Sequence, residues 1–135
     1  MKAILLTADY ASIEQATGKL NILGMFNKIL AEKFPVRHAR MAVVVKLIGE
    51  LGDRSTQRMM TVRLVDEDGT ELWRMVTPIQ LPQTLHGTPR EFTAVIELNG
   101  LEFSHSGMYA FSVELDGEPL EAAPIELIRQ EQESG

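Results

Sequence analysis

Apolar and polar residues alternate with period two along most of the chain, the spacing of strands that bury one face. Residues 3–10 place Ile4, Leu6, Ala8 and Tyr10 on one face, and residues 19–26 do the same with Leu20, Ile22 and Phe26. Residues 41–48 turn Met41, Val43, Val45 and Leu47 inward. Two more strands are predicted over residues 58–65 and 71–79. Residues 92–98 direct Phe92, Ala94, Ile96 and Leu98 inward, and residues 108–115 direct Tyr109, Phe111, Val113 and Leu115. Residues 120–128 form the eighth predicted strand.

Turn residues separate these runs. Leu115-Asp116-Gly117-Glu118 suits a two-residue hairpin, because Asp-Gly tolerates positive φ at both central positions. Pairing Leu115 with Glu118 then puts Val113 opposite Leu120, Phe111 opposite Ala122 and Tyr109 opposite Pro124. Proline cannot donate to a ladder, so an edge or a bulge is expected at Ala123-Pro124. Asp66-Glu67-Asp68-Gly69 closes a second hairpin, and Asn99-Gly100 and Gly107 bracket a further turn. Residues 49–55 and 82–89 read as loops. Helix is scarce: one turn is predicted over residues 11–17, capped by Ser12 with Gln15 three residues on, and one over residues 27–33, stopped before Pro35. Short strands at turn spacing without crossover helices predict an all-β fold. The form expected is an antiparallel β-sandwich of seven to eight strands, immunoglobulin-like or similar. Residues 1–128 form one domain, and residues 129–135 a polar tail.

Composition narrows the partners more than it identifies them. The 135 residues are 44% hydrophobic and 24% charged, with a net charge of −6, values of an ordinary globular domain. An acidic chain repels phosphate backbones, and the densest basic stretch, with Lys33, Arg37, His38 and Arg40, is a weak patch. No nucleic-acid partner is expected. There are no cysteines, which removes thiolate chemistry and zinc–thiolate sites and fits the cytoplasm. Residues 3–6 are too short for a signal-peptide apolar region. No apolar run reaches the length of a transmembrane helix, so no membrane partner is expected.

Several runs carry a resemblance. Ala8-Asp9-Tyr10-Ala11 is followed by Gly18-Lys19-Leu20-Asn21-Ile22-Leu23-Gly24-Met25-Phe26 and then Phe34-Pro35. Later come Asn99-Gly100-Leu101 and Gly107-Met108-Tyr109-Ala110-Phe111-Ser112-Val113. Together they resemble a family of small bacterial proteins of unknown function and about this length, over residues 1–128. The resemblance implies a single all-β domain and a bacterial source, and it transfers no catalytic residues.

The candidate chemistry reads mostly as loop structure. His38, His86 and His105 fall in connections. If consecutive strands run antiparallel, His38 and His105 lie at one end and His86 at the other, so the three do not converge on a metal. Asp66-Glu67-Asp68-Gly69 begins like a calcium loop but has Gly at position 4 and Thr77 at position 12, which departs from the EF-hand. Asp9, Glu50, Asp53 and Asp116 form the better acidic group, at the other end. Ser104-His105-Ser106 is a polar turn, since adjacent residues do not aim at each other and no Gly-x-Ser-x-Gly elbow occurs. Nucleotide loops and a His-Glu-x-x-His zinc motif are also absent. No metal or cofactor is expected. Trp73 is the natural sugar-stacking candidate. It faces the core if Leu64 lies opposite it, and solvent if Leu64 lies opposite Leu72.

Missing catalytic motifs favour a non-enzymatic binding or protein-interaction module, partnered by another protein or by itself. The alternative is a carbohydrate- or calcium-dependent ligand-binding sandwich, or an enzyme without a recognisable motif. Leu23, Met25, Val44, Met59 and Val95, with Ala110, lie on presumed outer faces and form a self-association patch if they cluster. Leu23 and Met25 stand where a solvent-facing strand places polar residues. They are therefore expected to be covered, by residues 27–38 or by another chain, with Gly24 allowing close approach.

Overall fold

A computed structural model describes residues 1–50, 57–81 and 90–131. They form nine strands: β1 (Lys2–Ile13), β2 (Leu20–Met25), β3 (Lys28–Ala31), β4 (Val36–Ile48), β5 (Gln57–Asp66), β6 (Glu71–Gln80), β7 (Glu91–Phe103), β8 (Gly107–Leu115) and β9 (Glu118–Arg129). The first sheet has the order β2-β1-β4-β7 and the second β3-β9-β8-β5-β6. All pairings are antiparallel except β3 with β9. The fold is all-β and mostly antiparallel as expected, but it has nine strands, and the curled sheet is not clearly immunoglobulin-like.

The additional strand is β3, where a helical turn is expected. Ile29 and Ala31 are buried while Leu30 between them is 59% exposed, a period of two that four residues cannot distinguish from a helical turn. The turn expected over 11–17 is shorter: β1 runs to Ile13, and residues 15–17 make a single turn closed by Gly18 N–H donating to the Glu14 carbonyl.

The core lies between the sheets. Met41, Val43, Val45 and Leu47 of β4 meet Met60, Val62 and Leu64 of β5, the alternate residues Tyr109 to Leu115 of β8, and Ile125 and Leu127 of β9. Burying each such side chain contributes about 1.5–3 kcal/mol. Strand β1 presents the face opposite to the one expected. Leu5 and Thr7 are buried, while Ile4 and Tyr10 are nearly half exposed. Its residues are apolar on both faces, so alternation alone cannot choose between them. Leu6 and Ala8 pair with Val44 and Ala42 on the outer face. There a second cluster of Ala11, Ala42 and Val44 gathers Leu6, Leu20 and Val95. The far end of the β1–β2 hairpin thus curls across the outside of its own sheet.

The β8–β9 hairpin pairs Leu115 with Glu118 as expected, but a bulge between Val113 and Glu114 moves the rest by one residue. Tyr109 therefore faces Ile125, Phe111 faces Ala123, and Pro124 faces Ala110. Leu64 lies opposite Trp73 and Val62 opposite Met75, the register that turns Trp73 toward the core. Its indole is half-buried and edge-on to Phe111, with ring centroids 6.1 Å apart.

At one end the β5–β6 and β7–β8 turns are tied together. Tyr109 Oη donates to the His105 carbonyl (2.7 Å), and the His105 ring stacks on Tyr109 (5.4 Å). His105 Nε2 lies 3.6 Å from Asp66 Oδ2. The contact of His105 Nδ1 with the Ser106 carbonyl (3.0 Å) raises the imidazole pKa above 6.5. Partial burial opposes this, and Asp66 and Glu67 add to it. Burial pushes the Asp66 carboxyl up, but the Thr70 and Asp68 N–H groups and His105 outweigh it, so it titrates below 3.8.

The two signs differ. The His105 contribution is complete below 6.5 and is lost as pH rises through the raised folded value. The Asp66 contribution is present above 3.8 and is lost as pH falls through the lowered one. His105→Asn is therefore expected to lower the urea midpoint more at pH 5.5 than at pH 8.5. A gap that is flat or reversed across that range would contradict the assignment.

Candidate interaction surface

Strand β2 is the terminal strand of the first sheet, and its six residues, LNILGM, include no charge. A bend holds it against β1: Glu14 N–H donates to the Lys19 carbonyl and Gly18 N–H to the Glu14 carbonyl, both at 2.8 Å. Leu23 then lies opposite Tyr10, and Met25 opposite Ala8. Leu23 is 70% and Met25 68% exposed. The Tyr10 ring beside them carries the Arg40 guanidinium 5.3 Å above its centroid.

Residues 27–38 do not cover these side chains. After Phe26 the chain leaves the first sheet and enters the second as β3. The close approach at Gly24 is made by the Asp9 carboxylate of the neighbouring strand. Gly24 also has φ +69°, in the left-handed region where a Cβ costs about 1–2 kcal/mol.

The other residues of the expected patch do not join Leu23 and Met25. Val44 is 1% exposed and lies under the curled hairpin, with Val95 packed against it. Met59 is exposed on β5 of the other sheet, and Ala110 is half-buried opposite Pro124.

A groove of about 320 Å³ opens on the same flank, lined by Leu5, Leu6, Thr7 and Phe26 on one side and Ala123 and Pro124 on the other. Sequence reasoning missed it, although an edge or a bulge was expected at Ala123-Pro124: the bulge lies elsewhere, between Val113 and Glu114, and β3 pairs with β9 only from Glu126 onward.

The residues weighed for catalysis or metal binding are dispersed. His38 lies within β4, its ring 5.8 Å from that of Phe26; His86 and Asp53 fall outside the described residues. His105 engages the Ser106 carbonyl rather than a seryl hydroxyl. Asp9 lies against Gly24, Glu50 pairs with the Met1 amino group (3.4 Å), and Asp116 accepts from Arg58 and from Met59 N–H. Backbone and guanidinium hold the Asp116 carboxyl below its usual range. Among the described residues no three His, Asp or Glu side chains gather in a way that could hold a metal ion. Trp73 turns inward, half-buried with its ring edge-on to Phe111. In the basic stretch, Arg37 pairs with Glu102 (3.7 Å) and Arg40 with Glu97 (2.7 Å). No helix among the described residues is long and apolar enough to cross a membrane.

Gly24→Ala is expected to destabilise the fold by about 1–2 kcal/mol from the backbone conformation, with a further steric cost against Asp9. Urea denaturation of Gly24→Ala and of Gly24→Ala/Asp9→Ala separates the two. The double variant should recover only the steric part, and an unchanged midpoint for the single variant would refute the strain.

A search of curated proteins finds no match to this chain. A family model does match, over residues 3–128 of 135, from the first strand nearly to the end of the last. The chain that builds this curled sheet and its uncharged edge belongs to the family of unknown function DUF6941.

Proposed function

We propose that the protein is a non-enzymatic interaction module that pairs with a second copy of itself through β2. The observation that carries this reading is that β2, alone among the described strands, has no charged residue, and that it stands at a sheet edge. Exposed edges are ordinarily guarded against pairing by lysine, proline or a charge pointing inward. β2 has none of these and presents Leu23 and Met25 instead.

A chain of net charge −6 opposes its own copy over most of its surface. At β2 two copies meet without facing charges, and antiparallel pairing about a two-fold axis joins the two first sheets into one. Covering Leu23 and Met25 contributes about 1–2 kcal/mol for each side chain. Lost translational and rotational freedom costs about 4–15 kcal/mol, so even with backbone hydrogen bonds the dimer is a weak one, micromolar to millimolar.

Size-exclusion chromatography with light scattering tests this between about 10 µM and about 1 mM, the range where such affinities show. The wild-type mass is expected to rise with concentration. Leu23→Lys should remain monomeric with an unchanged thermal midpoint, since its side chain is exposed in the single chain. A wild-type protein that stays monomeric throughout would refute the reading.

A further inference from the structure

We propose that the open flank of β9 is a binding site for an extended basic peptide, which adds to the second sheet as a strand. The inference is independent of pairing through β2. It begins with where the main-chain groups of β9 point. Glu126 N–H donates to the Asn27 carbonyl and Gln130 N–H to the Ala31 carbonyl, so even-numbered residues of β9 face the β3 side. Pairing with β8 is regular from Glu121 to Leu127, and the alternation therefore continues back through Pro124 and Ala122. Beside those two residues there is no described strand, because β3 starts opposite Glu126.

Both outward positions bear the mark of a vacant edge. Pro124 has no N–H to leave unpaired. The Ala122 N–H is occupied by the carboxylate of its own neighbour, Glu121 Oε1 at 3.0 Å, which stands in for the carbonyl of a strand. An incoming peptide in extended conformation displaces that carboxylate, accepting from Ala122 N–H and donating to the Ala122 and Pro124 carbonyls.

The opposite wall is open at the same place. β2 pairs with β1 only from Ala8 onward, so residues 2–6 of β1 pair with no described strand on that side. The groove between the two edges has Leu5, Phe26 and Ala123 in its lining, and takes alternate apolar side chains of the added strand.

Charge selects among occupants. Glu118 and Glu121 are exposed on this flank and form no ion pair among the described residues. Once displaced from Ala122, the Glu121 carboxylate is free to meet a lysine or arginine of the peptide. A second copy of β9 would bring the same two glutamates against themselves, which excludes self-pairing here. An acidic lip likewise repels nucleic acid and anionic lipid.

The probe is the acetylated and amidated heptapeptide Val-Lys-Val-Lys-Val-Lys-Val, titrated into ¹⁵N-labelled protein and followed by amide shifts. Saturable shifts are expected at residues 121–123 and 2–7. Of two peptides N-methylated on alternate amides, the one blocked on its binding edge should bind at least about tenfold more weakly, the loss of roughly 1.4 kcal/mol in hydrogen bonding. The Val-Glu counterpart should not bind. Glu121→Gln should weaken the lysine peptide by roughly threefold and flatten its salt dependence. Leu23→Lys should bind as the wild type does. The proposal fails if both N-methylated peptides bind like the parent, if the shifts centre on residues 20–23 of β2 rather than on the groove, if binding is lost in Leu23→Lys, or if no saturation occurs at millimolar peptide.

Discussion

Strand β4 is apolar on both faces, and covering both of them shapes the rest of the molecule. Met41, Val43, Val45 and Leu47 face the second sheet, whose β5, β8 and β9 side chains meet them. Ala42 and Val44 face outward, where a two-layer fold has no third layer to offer. The β1–β2 hairpin supplies the cover by curling, with Ala11 and Leu20 brought over the outer face. That curl draws β2 toward the far end of β1 and leaves the first residues of β1 paired with β4 alone. The uncharged edge and the groove are both products of this one geometric demand.

Two regions of the molecule solve their backbone problems differently. At the β5–β6 end, the Tyr109 hydroxyl, the His105 ring and the Asp66 carboxylate lock one turn to another, so few polar groups are left to a ligand. Along the flank, by contrast, the Ala122 N–H is capped by the Glu121 carboxylate, and Pro124 has no N–H to cap. Exposed ion pairs such as Arg40 with Glu97 and Lys46 with Glu91 decorate the outer face of the first sheet and add little stability.

Much of the fold was legible because β8 alternates cleanly from Tyr109 to Leu115 and the turns on either side of it announce themselves, while β4 and β7 read as strands from their β-branched runs. The inward faces of β4, β7 and β8 were read correctly, and the sense of Trp73, which hung on a one-residue register, is decided by its pairing with Leu64. β1 was misread because Ile4, Leu6 and Ala8 compete with Ala3, Leu5 and Ala11 on the opposite face, and only the outer cluster breaks the tie. β3 was misread because four residues paired in parallel with a distant strand carry no local turn signal. The surface patch was harder still. Val44 and Leu23 look alike in sequence, and only the curl buries one and exposes the other. Pro124 did mark an open edge, although β9 has partners on both sides further along.

The parallel pairing of β3 with β9 also governs when the structure can form. Lys28 aligns with Glu126, so the pairing joins segments from near the two ends of the described chain. The closure of so large a loop costs entropy before it returns any contact, which slows folding. During synthesis on the ribosome β4 waits for β7, and β3 waits longer, until the last strand has emerged. The nascent chain therefore carries Ile29 unprotected for most of its translation, with no strand yet made that can cover it.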